Sequence, residues 1–368
     1  MRLERTLISA ALLVASLAGR SWGQRAALLQ GIVDGEAWST NKTSNLLTRN
    51  NGQPAGLMRL QLWGAIEPFP HWVIYAQGEA EMGQARSETE THDIYSDQFG
   101  IRYAANPRLV IDAGRLVPVI GTFSSRRFST RNPLIGMPDG YSLQYPLGVQ
   151  VSGETRRFDY RLAMVSLPAD HMDYVPRPTA RLRPAIGGGI TPFVGARLGA
   201  SFTAGPFLNR SLTSTQLAGN DWHDYQQRVM AFDASFARGY LETHAEYARA
   251  SYEVPRRASP VAGVTYYGEA KYTLSPRFFV AGRAERNRYP FIRLTAAGNW
   301  IANVTDFVDG EVGGGYRFSA SSLLKASLRA DRWWVRTGAP GFKGTGGRAV
   351  ALQWSQAFDA MSWIERER

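Results

Sequence analysis

The feature that most constrains this chain is a two-residue alternation of apolar and polar side chains that recurs along almost its whole length. One stretch places Met58, Leu60 and Leu62 on one face and Arg59 and Gln61 on the other. Successive side chains of a β-strand point to opposite faces, so this period predicts strands. Gly, Pro, Asn, Asp and Ser separate segments of about ten residues, as turn residues separate strands.

Sixteen such segments follow one another. They begin near Leu28, Leu57, His71, Asp93, Arg108, Tyr145, Phe158, Arg183, Ala196, Tyr225, Tyr240, Val261, Arg277, Thr305, Ser322 and Gly347. Short turns alternate with long connections, and the long ones are residues 41–55, 83–92, 117–144, 167–182, 206–224, 253–260, 286–304 and 335–346. This alternation predicts an antiparallel up-and-down meander with turns at one end and loops at the other.

Closing such a meander removes the exposed edge strands. A closed sheet of this many strands has a lumen too wide for apolar side chains to fill. The stable arrangement therefore turns the apolar face to lipid and the polar face to a wet interior, with every backbone amide paired between strands. We expect an all-β fold, a 16-stranded antiparallel transmembrane β-barrel.

Composition excludes several other classes. The 368 residues include no Cys, which excludes disulfide scaffolds and thiolate metal sites, and no apolar run of about eighteen residues suggests a membrane helix. Lys and Arg number 42 against 31 Asp and Glu, and the net charge of +11 favours acidic partners such as lipid headgroups or anionic solutes. The basic residues form no single stripe, so nucleic acid is not expected.

The N-terminus predicts export. Arg2 and Arg5 precede a short apolar run, and Ser21-Trp22-Gly23 offers small residues for cleavage. A buried first helix is the alternative. The predicted division is a signal peptide at residues 1–23, a barrel at 24–360 and a C-terminal tail at 361–368.

Aromatic residues lie near the strand ends, as in the interfacial girdles of membrane barrels, although the core of a soluble sandwich could also hold them. These residues are Trp72, Tyr75, Tyr95, Tyr103, Tyr145, Phe158, Tyr160, Phe202, Phe236, Tyr240, Tyr272, Phe278, Tyr316, Phe318 and Trp354. With this architecture, the chain resembles an outer-membrane porin, of the 16-stranded general or phosphate-selective type. The resemblance implies passive diffusion of small hydrophilic solutes across the bacterial outer membrane, contact with the lipid bilayer and lipopolysaccharide, and a homotrimer without a cofactor.

The longest connection, residues 117–144, joins the fifth and sixth strands. Residues 114–123 with Arg126, Arg127 and Arg131 resemble the third loop that folds into porin barrels, although the Pro-Glu-Phe-Gly-like motif of general porins is absent. The three arginines are the expected constriction, because a guanidinium stays charged and concentrates anions in a narrow passage. Alternatively, they pair with carboxylates or with lipopolysaccharide phosphates.

Alternation also predicts which charged side chains face the lumen. The expected pore-lining set is Arg59, Arg102, Asp112, Arg161, Arg183, Arg197, Asp233, Glu242, Glu246, Glu269, Lys271, Arg283, Glu311, Arg317 and Arg329. Arginines cluster on strands seven to nine and carboxylates on strands ten and eleven, which would set up a transverse field. The alternative is a wall ladder in which facing charges satisfy each other.

The sequence offers little for catalysis. Asp170-His171-Met172-Asp173 and Asp221-Trp222-His223-Asp224 lie in loops, and no Gly-x-Ser-x-Gly nucleophile motif accompanies them. We expect neither an enzyme nor a metal site. The competing function is a non-conducting barrel whose loops bind a partner, as an adhesin or surface scaffold. Small outward residues near Gly188 and Ala200 suggest part of a subunit contact.

Overall fold

A computed structural model describes the chain at residues 27–41, 52–83, 92–138, 145–166, 182–295, 297–335 and 345–361. The predicted signal peptide, nearly all of the predicted tail, His171 and parts of several long loops lie outside these ranges.

Sixteen strands make up most of the described residues. They are β1 (Ala27–Thr40), β2 (Ala55–Phe69), β3 (Trp72–Met82), β4 (His92–Asn106), β5 (Leu109–Arg115), β6 (Leu147–Glu154), β7 (Phe158–Val165), β8 (Arg183–Phe193), β9 (Ala196–Pro206), β10 (Gln226–Arg238), β11 (Leu241–Tyr252), β12 (Val261–Thr273), β13 (Phe278–Leu294), β14 (Trp300–Arg317), β15 (Ser322–Val335) and β16 (Thr345–Asp359). The strand number predicted from the two-residue period is confirmed. No helix among the described residues is long and apolar enough to cross a membrane.

The strands form one closed barrel in sequence order. Each strand is antiparallel to both neighbours, and β1 closes the sheet against β16, with Gln30 opposite Asp359 and Thr40 opposite Ala349. Closure satisfies the backbone of the first and last strands, which would otherwise be exposed edges. The predicted fold class, an antiparallel up-and-down barrel of sixteen strands, is confirmed.

The sheet is inverted relative to that of a soluble protein. On β16 the polar Gln353 and Ser355 are 2% and 0% exposed, while the neighbouring Leu352 and Trp354 are 50% and 44% exposed. The same alternation places large apolar side chains on the outside of every part of the wall. An exterior of this kind is stable when hydrocarbon, rather than water, surrounds it.

The two ends of the barrel differ. Short turns close one end, which we call the short-turn end, and the longer connections lie at the other, the long-loop end. One predicted long connection was wrong, because β13 and β14 run on to Leu294 and Trp300, and a tight turn joins them. Arg286, Asn287 and Arg288 suggested a polar loop, but they continue the strand pairing, opposite Val308, Phe307 and Asp306.

Part of the long-loop end has an apolar core of its own. Two connections, residues 207–225 and 253–260, pack on the strand ends there. Trp300 Nε1 donates a hydrogen bond to the Gln216 carbonyl at 2.7 Å, which ties one of these loops to β14. The buried core consists of Phe207, Leu208, Leu217, Tyr225, Tyr252, Val254, Val261 and Ile292.

Candidate pore and its inward loop

The connection between β5 and β6 turns into the barrel, and we call it the inward loop. It begins just after Gly114, whose φ is +144° and at which a side chain would collide with the Phe99 carbonyl. Glycine adopts such backbone angles without strain, so the chain can leave the wall at this point. The loop then packs Val119 against Ala163, Val165 and Ala185 of β7 and β8.

The next residues of the loop bind β9 and β11. The Gly121 amide donates to Ser201 Oγ at 3.3 Å. Thr122 donates to Glu246 twice, from its amide at 3.0 Å and from its hydroxyl at 2.8 Å. A carboxylate that accepts two donors from a turn fixes both the position and the direction of the backbone there.

Arg126 attaches the loop to β12. Its guanidinium donates to Glu269 at 2.7 Å and to the Tyr267 hydroxyl at 3.0 Å, and the ring of Phe123 packs edge-on to Tyr267. Burial alone would lower the pKa of Arg126, but Tyr267, Glu269 and Glu246 raise it, and the net shift is upward. Arg126 is therefore charged and held by the wall.

Arg127 points to the other side of the barrel. It pairs with Glu79 of β3 at 3.2 Å and with Asp97 of β4, and the neighbouring Phe128 contacts Trp63 of β2 with ring centroids 5.7 Å apart. In the closed strand order, β3 and β4 lie nearly opposite β12. Two consecutive arginines thus attach the loop to opposite walls, so the loop crosses the lumen.

Lys325 of β15 holds the next part of the loop. Its ammonium donates to the carbonyls of Ser129, Asn132 and Leu134 at 2.9, 3.1 and 2.9 Å. These contacts use all three protons of the ammonium. Lys325 is completely buried beneath the loop.

The last described part of the loop rests on β14. The amides of Ile135 and Gly136 donate to Glu311 Oε1 at 3.1 and 3.0 Å. A methyl group at Gly136 would lie 2.5 Å from Glu311 Oε2 and 2.9 Å from Arg329 Nη1, so only glycine fits without moving these buried side chains. Ile135 packs with Trp38, Ala55, Leu57, Ala349 and Ala351.

The wall beneath the loop is a dense network of ion pairs. Arg283 binds Glu311 at 2.8 Å and Glu269 at 3.4 Å, and Arg329 binds Asp309 at 3.0 Å. The side chains of Arg283 and Glu311 are 0% exposed, so these two members of the expected pore lining face inward but are covered by the loop. Arg59 extends this network to Glu36, Glu79 and Glu81 on the neighbouring strands.

Other members of the expected lining are more open to solvent. Arg102 pairs with Asp112 at 2.8 Å across β4 and β5. Arg197 bridges Asp159 of β7, at 2.7 Å, and Asp233 of β10. Facing charges therefore pair along this part of the wall, as the ladder alternative described.

Cations and an aromatic ring lie together near the short-turn end. Lys271 pairs with Glu242 at 2.8 Å and sits 5.5 Å from the ring centre of Phe279. Arg317 lies 5.9 Å from the same ring. These contacts use the negative face of the ring and hold both cations at the lumen wall.

Two arginines on or against the inward loop lack a carboxylate partner among the described residues. Arg161 donates to the Gly121 carbonyl at 3.5 Å, and Arg131, which is exposed, donates to the Ser125 carbonyl at 3.2 Å. Arg126 and Arg127, the other expected constriction residues, are by contrast both paired with wall carboxylates. The three arginines predicted to act together thus have two different environments.

Arg183 differs from the rest of the expected lining. It is 1% exposed, and its guanidinium donates to Thr203 Oγ1, the Pro206 carbonyl and the Gln227 carbonyl. These contacts join the ends of β8, β9 and β10. Arg183 therefore braces the wall at the long-loop end instead of touching open lumen.

Sequence reasoning missed several residues that position the loop. Lys325 and Asp97 face inward but gave no sign of their loop partners, and nothing in the sequence marked Tyr267 or Trp63 as contacts of the loop. Gly136 carried no signal because its crowding comes from side chains distant in sequence.

The loop histidine that the structure describes forms a local contact. His223 Nε2 lies 3.6 Å from Asp224 Oδ1, with both side chains exposed. Asp221 and Asp224 form a capping box around the short 3₁₀ helix Trp222–Asp224. Across the described ranges, no group of three or more acidic or histidine side chains could hold a metal ion.

Comparison with known proteins shows similarity in structure only. No protein-family model matches the chain, and no curated protein matches its sequence. The outer membrane channel DcaP of Acinetobacter baumannii superposes with a TM-score of 0.67 at 13% identity, covering 92% of this chain and 99% of that one.

Two further structures share the fold. An anion-selective porin from Comamonas acidovorans gives a TM-score of 0.60 at 12% identity, over 91% of this chain and 100% of that one. OmpT of Vibrio cholerae, an outer membrane protein in its trimer form, gives 0.57 at 12% identity, over 91% and 99% of the two chains. The chain therefore has the porin-like barrel fold of bacterial outer-membrane proteins.

Proposed function

We propose that this chain is a pore of the bacterial outer membrane that lets small hydrophilic solutes diffuse passively, with a preference for anions. The observation that carries the proposal is the inverted barrel, with an apolar exterior and a charged interior crossed by a loop that is attached to opposite walls. A rigid loop across a wet lumen narrows the passage without closing the barrel, and charged groups beside it then select among solutes.

The positions of the lumen arginines, rather than the number of basic residues, support the preference for anions. Most lumen cations pair with carboxylates, so they add little free positive charge. Among the described lumen arginines without an ion pair, Arg131 and Arg161 lie on or against the inward loop. An unpaired guanidinium at the narrowest level attracts anions and repels cations.

Single-channel recording in planar bilayers tests the pore. Purified chain is expected to insert and to give steady ohmic steps, and a salt gradient is expected to give a reversal potential of the sign for anion preference. Correctly folded, inserted protein that stays electrically silent would instead favour the alternative, a barrel whose loops bind a partner.

Two double variants test the preference for anions. Arg131→Ser with Arg161→Ser should move the reversal potential toward cations, because no described carboxylate lies within ion-pair distance of either residue. Arg156→Ser with Arg157→Ser removes the same charge from the exposed turn between β6 and β7 and should leave the potential unchanged. Equal shifts in the two variants would exclude a role for the loop arginines.

The constriction triple variant gives a stronger form of the same test. Replacing Arg126, Arg127 and Arg131 by Ser should shift selectivity further, since Glu269, Glu79 and Asp97 would lose their partners and remain in the lumen. An unchanged potential in this variant would show that ions pass elsewhere.

We also propose that the chain forms a trimer and performs no catalysis. The outward faces of β8 and β9 carry small residues at Gly188, Ala196, Ala200 and Ala204, which would let another barrel approach closely. The trimeric form of the OmpT structure supports this assembly. Mass measurement in mild detergent tests it, and a single-chain mass at all protein concentrations would rule it out.

A further inference from the structure

The outer wall carries a row of arginines at the long-loop end, and we call it the arginine row. Alternation points these side chains away from the lumen, and all are exposed or half-exposed. They occupy β10, β11, β13, β15 and β16. The row consists of Arg228, Arg249, Arg286, Arg288, Arg332 and Arg348.

Strand pairing brings the members of the row to one level. Val264 of β12 is opposite both Arg249 and Arg288, so it alone separates them. A single residue of β14 likewise separates Arg286 from Arg332. The row therefore follows the barrel circumference rather than forming unrelated surface charges.

The row borders the apolar band directly. Toward the short-turn end, the next outward residues after Arg228, Arg249 and Arg348 are Met230, Tyr247 and Val350, which are large and exposed. The smaller Ala284 and Ala330 follow Arg286 and Arg332, and the exposed Val308 lies between these two arginines. The guanidiniums thus stand where hydrocarbon gives way to headgroups in a membrane that covers this band.

Carboxylates balance only part of this charge. Asp306 lies 3.9 Å from Arg286 and 3.8 Å from Arg288, and Glu253 lies 3.3 Å from Arg228. Within the described ranges, no carboxylate is placed within 4 Å of the other three arginines. Six guanidiniums therefore share two carboxylates at the edge of a low-dielectric region, where unpaired charge is costly.

The remaining wall has no such row. At the corresponding level, the described outward residues of β1 to β9 are neutral except for Arg115 of β5, which is opposite the exposed Leu147. Ala204 of β9 is directly opposite Arg228 of β10. Examples are Ser39, Gly56, Ile94, Leu147, Met164 and Pro184. The positive charge is thus concentrated on one side of the barrel.

From this arrangement we infer that the arginine row binds the phosphate groups of anionic lipids in the leaflet at the long-loop end. A guanidinium offers paired donors that match phosphate oxygens, and a row of them along the circumference can bind several headgroups side by side. The same arrangement predicts that β10–β16 face lipid, whereas the neutral side is free to contact another subunit. The inference rests on the membrane location in the proposed function and is independent of ion conduction.

Thermal unfolding of the purified full chain in a zwitterionic detergent tests the inference. Added short-chain phosphatidic acid should raise the unfolding temperature at lower concentrations than short-chain phosphatidylcholine does. Inorganic phosphate at the same concentrations should have no such effect. If inorganic phosphate or phosphatidylcholine stabilises the chain equally, the row is not a site for anionic lipid.

A triple variant, Arg249→Gln, Arg332→Gln and Arg348→Gln, should need at least about tenfold more phosphatidic acid for the same shift. The matched control is Arg156→Gln, Arg157→Gln and Arg238→Gln, which removes equal charge from exposed positions at the short-turn end. The control should respond like the unmodified chain, and equal loss of the response in both variants would overturn the inference.

The heat-dependent gel mobility of each variant reports its folding. If the variant of the arginine row does not fold, the titrations of the unmodified chain with phosphatidic acid, phosphatidylcholine and inorganic phosphate decide the question alone. Channel recordings are not used, so failure here leaves the pore proposal untouched.

Discussion

Lys325 is the single side chain that contacts the largest number of inward-loop carbonyls in the described structure. Its three hydrogen bonds replace water for Ser129, Asn132 and Leu134, which are covered by the barrel. A buried carbonyl without a donor destabilises the folded state, so the loop's position depends strongly on this ammonium.

Lys325→Met keeps the length of the side chain and removes its donors. We expect the free energy of unfolding to fall by about 3 kcal/mol, because several buried carbonyls lose their partner at once. Denaturant titration of the refolded barrel measures this change. We also expect more current noise in single-channel traces, since the loop is less firmly held.

Lys271→Met is the matched control for this prediction. Lys271 also faces the lumen, but its single ion pair with Glu242 is partly exposed and contributes little to stability. Its replacement should change stability by less than about 1 kcal/mol and leave the current quiet. Similar behaviour of the two variants would mean that Lys325 does not fix the loop.

The inward loop is the element whose course can be tested most directly. A methyl group at Gly187 of β8 would lie 3.0 Å from Val119 Cγ1, so side chains at these two positions are close enough for a disulfide. The chain has no cysteine, so no other thiol competes. We expect Val119→Cys with Gly187→Cys to form a disulfide on mild oxidation, measured as loss of thiol alkylation.

Gly188 provides the control position for this cross-link. It is adjacent to Gly187 but points to the outside of the barrel. Val119→Cys with Gly188→Cys should keep both thiols reactive under the same oxidation. Cross-linking through Gly188 alone would place the start of the loop outside the lumen.

The sequence predicted the strands far better than it predicted the course of the loop. A two-residue period is local, so it defined sixteen strands and their inward faces, and it placed Arg126 and Arg127 in the longest connection. The expectation that this connection enters the barrel came from the resemblance to porins. The partners of these two arginines, Glu269 and Asp97, lie on strands whose positions depend on closure of the whole sheet. Local patterns contain no information about such contacts.

The same limitation explains the wrong boundary between β13 and β14. The predicted connection at residues 286–304 begins with Arg286 and includes Arg288, and such outward charges interrupt the apolar face that marks a membrane strand. In the structure they belong to the arginine row at the edge of the apolar band. The outward arginines that led to the wrong strand boundary are the same residues from which we infer lipid binding.

The arginines inside the barrel and those on the outer wall have different surroundings. Inside the barrel, most arginines pair with carboxylates, as Arg197 does with Asp159 and Asp233. On the outer wall, the arginine row has fewer acidic partners than guanidiniums. The net charge of +11 is therefore not a measure of pore selectivity, because part of it faces away from the lumen.

The inversion of the barrel makes a prediction that no soluble fold shares. Val312 of β14 is 59% exposed, and in water its replacement by arginine would have little effect on stability. In a bilayer, the same residue faces hydrocarbon near the middle of the apolar band, where an arginine costs about 2–4 kcal/mol. We therefore expect Val312→Arg to lower the folded fraction strongly when the chain refolds into lipid vesicles.

Val194→Arg is the control, because Val194 is 92% exposed in the turn between β8 and β9, outside the apolar band. This variant should refold like the unmodified chain, as arginine costs little at the interface. Folded fractions are measured from gel mobility without heating, across a urea series. If Val312→Arg and Val194→Arg refold equally well in vesicles, the exposed apolar wall does not contact hydrocarbon, and the membrane location of the barrel must be abandoned.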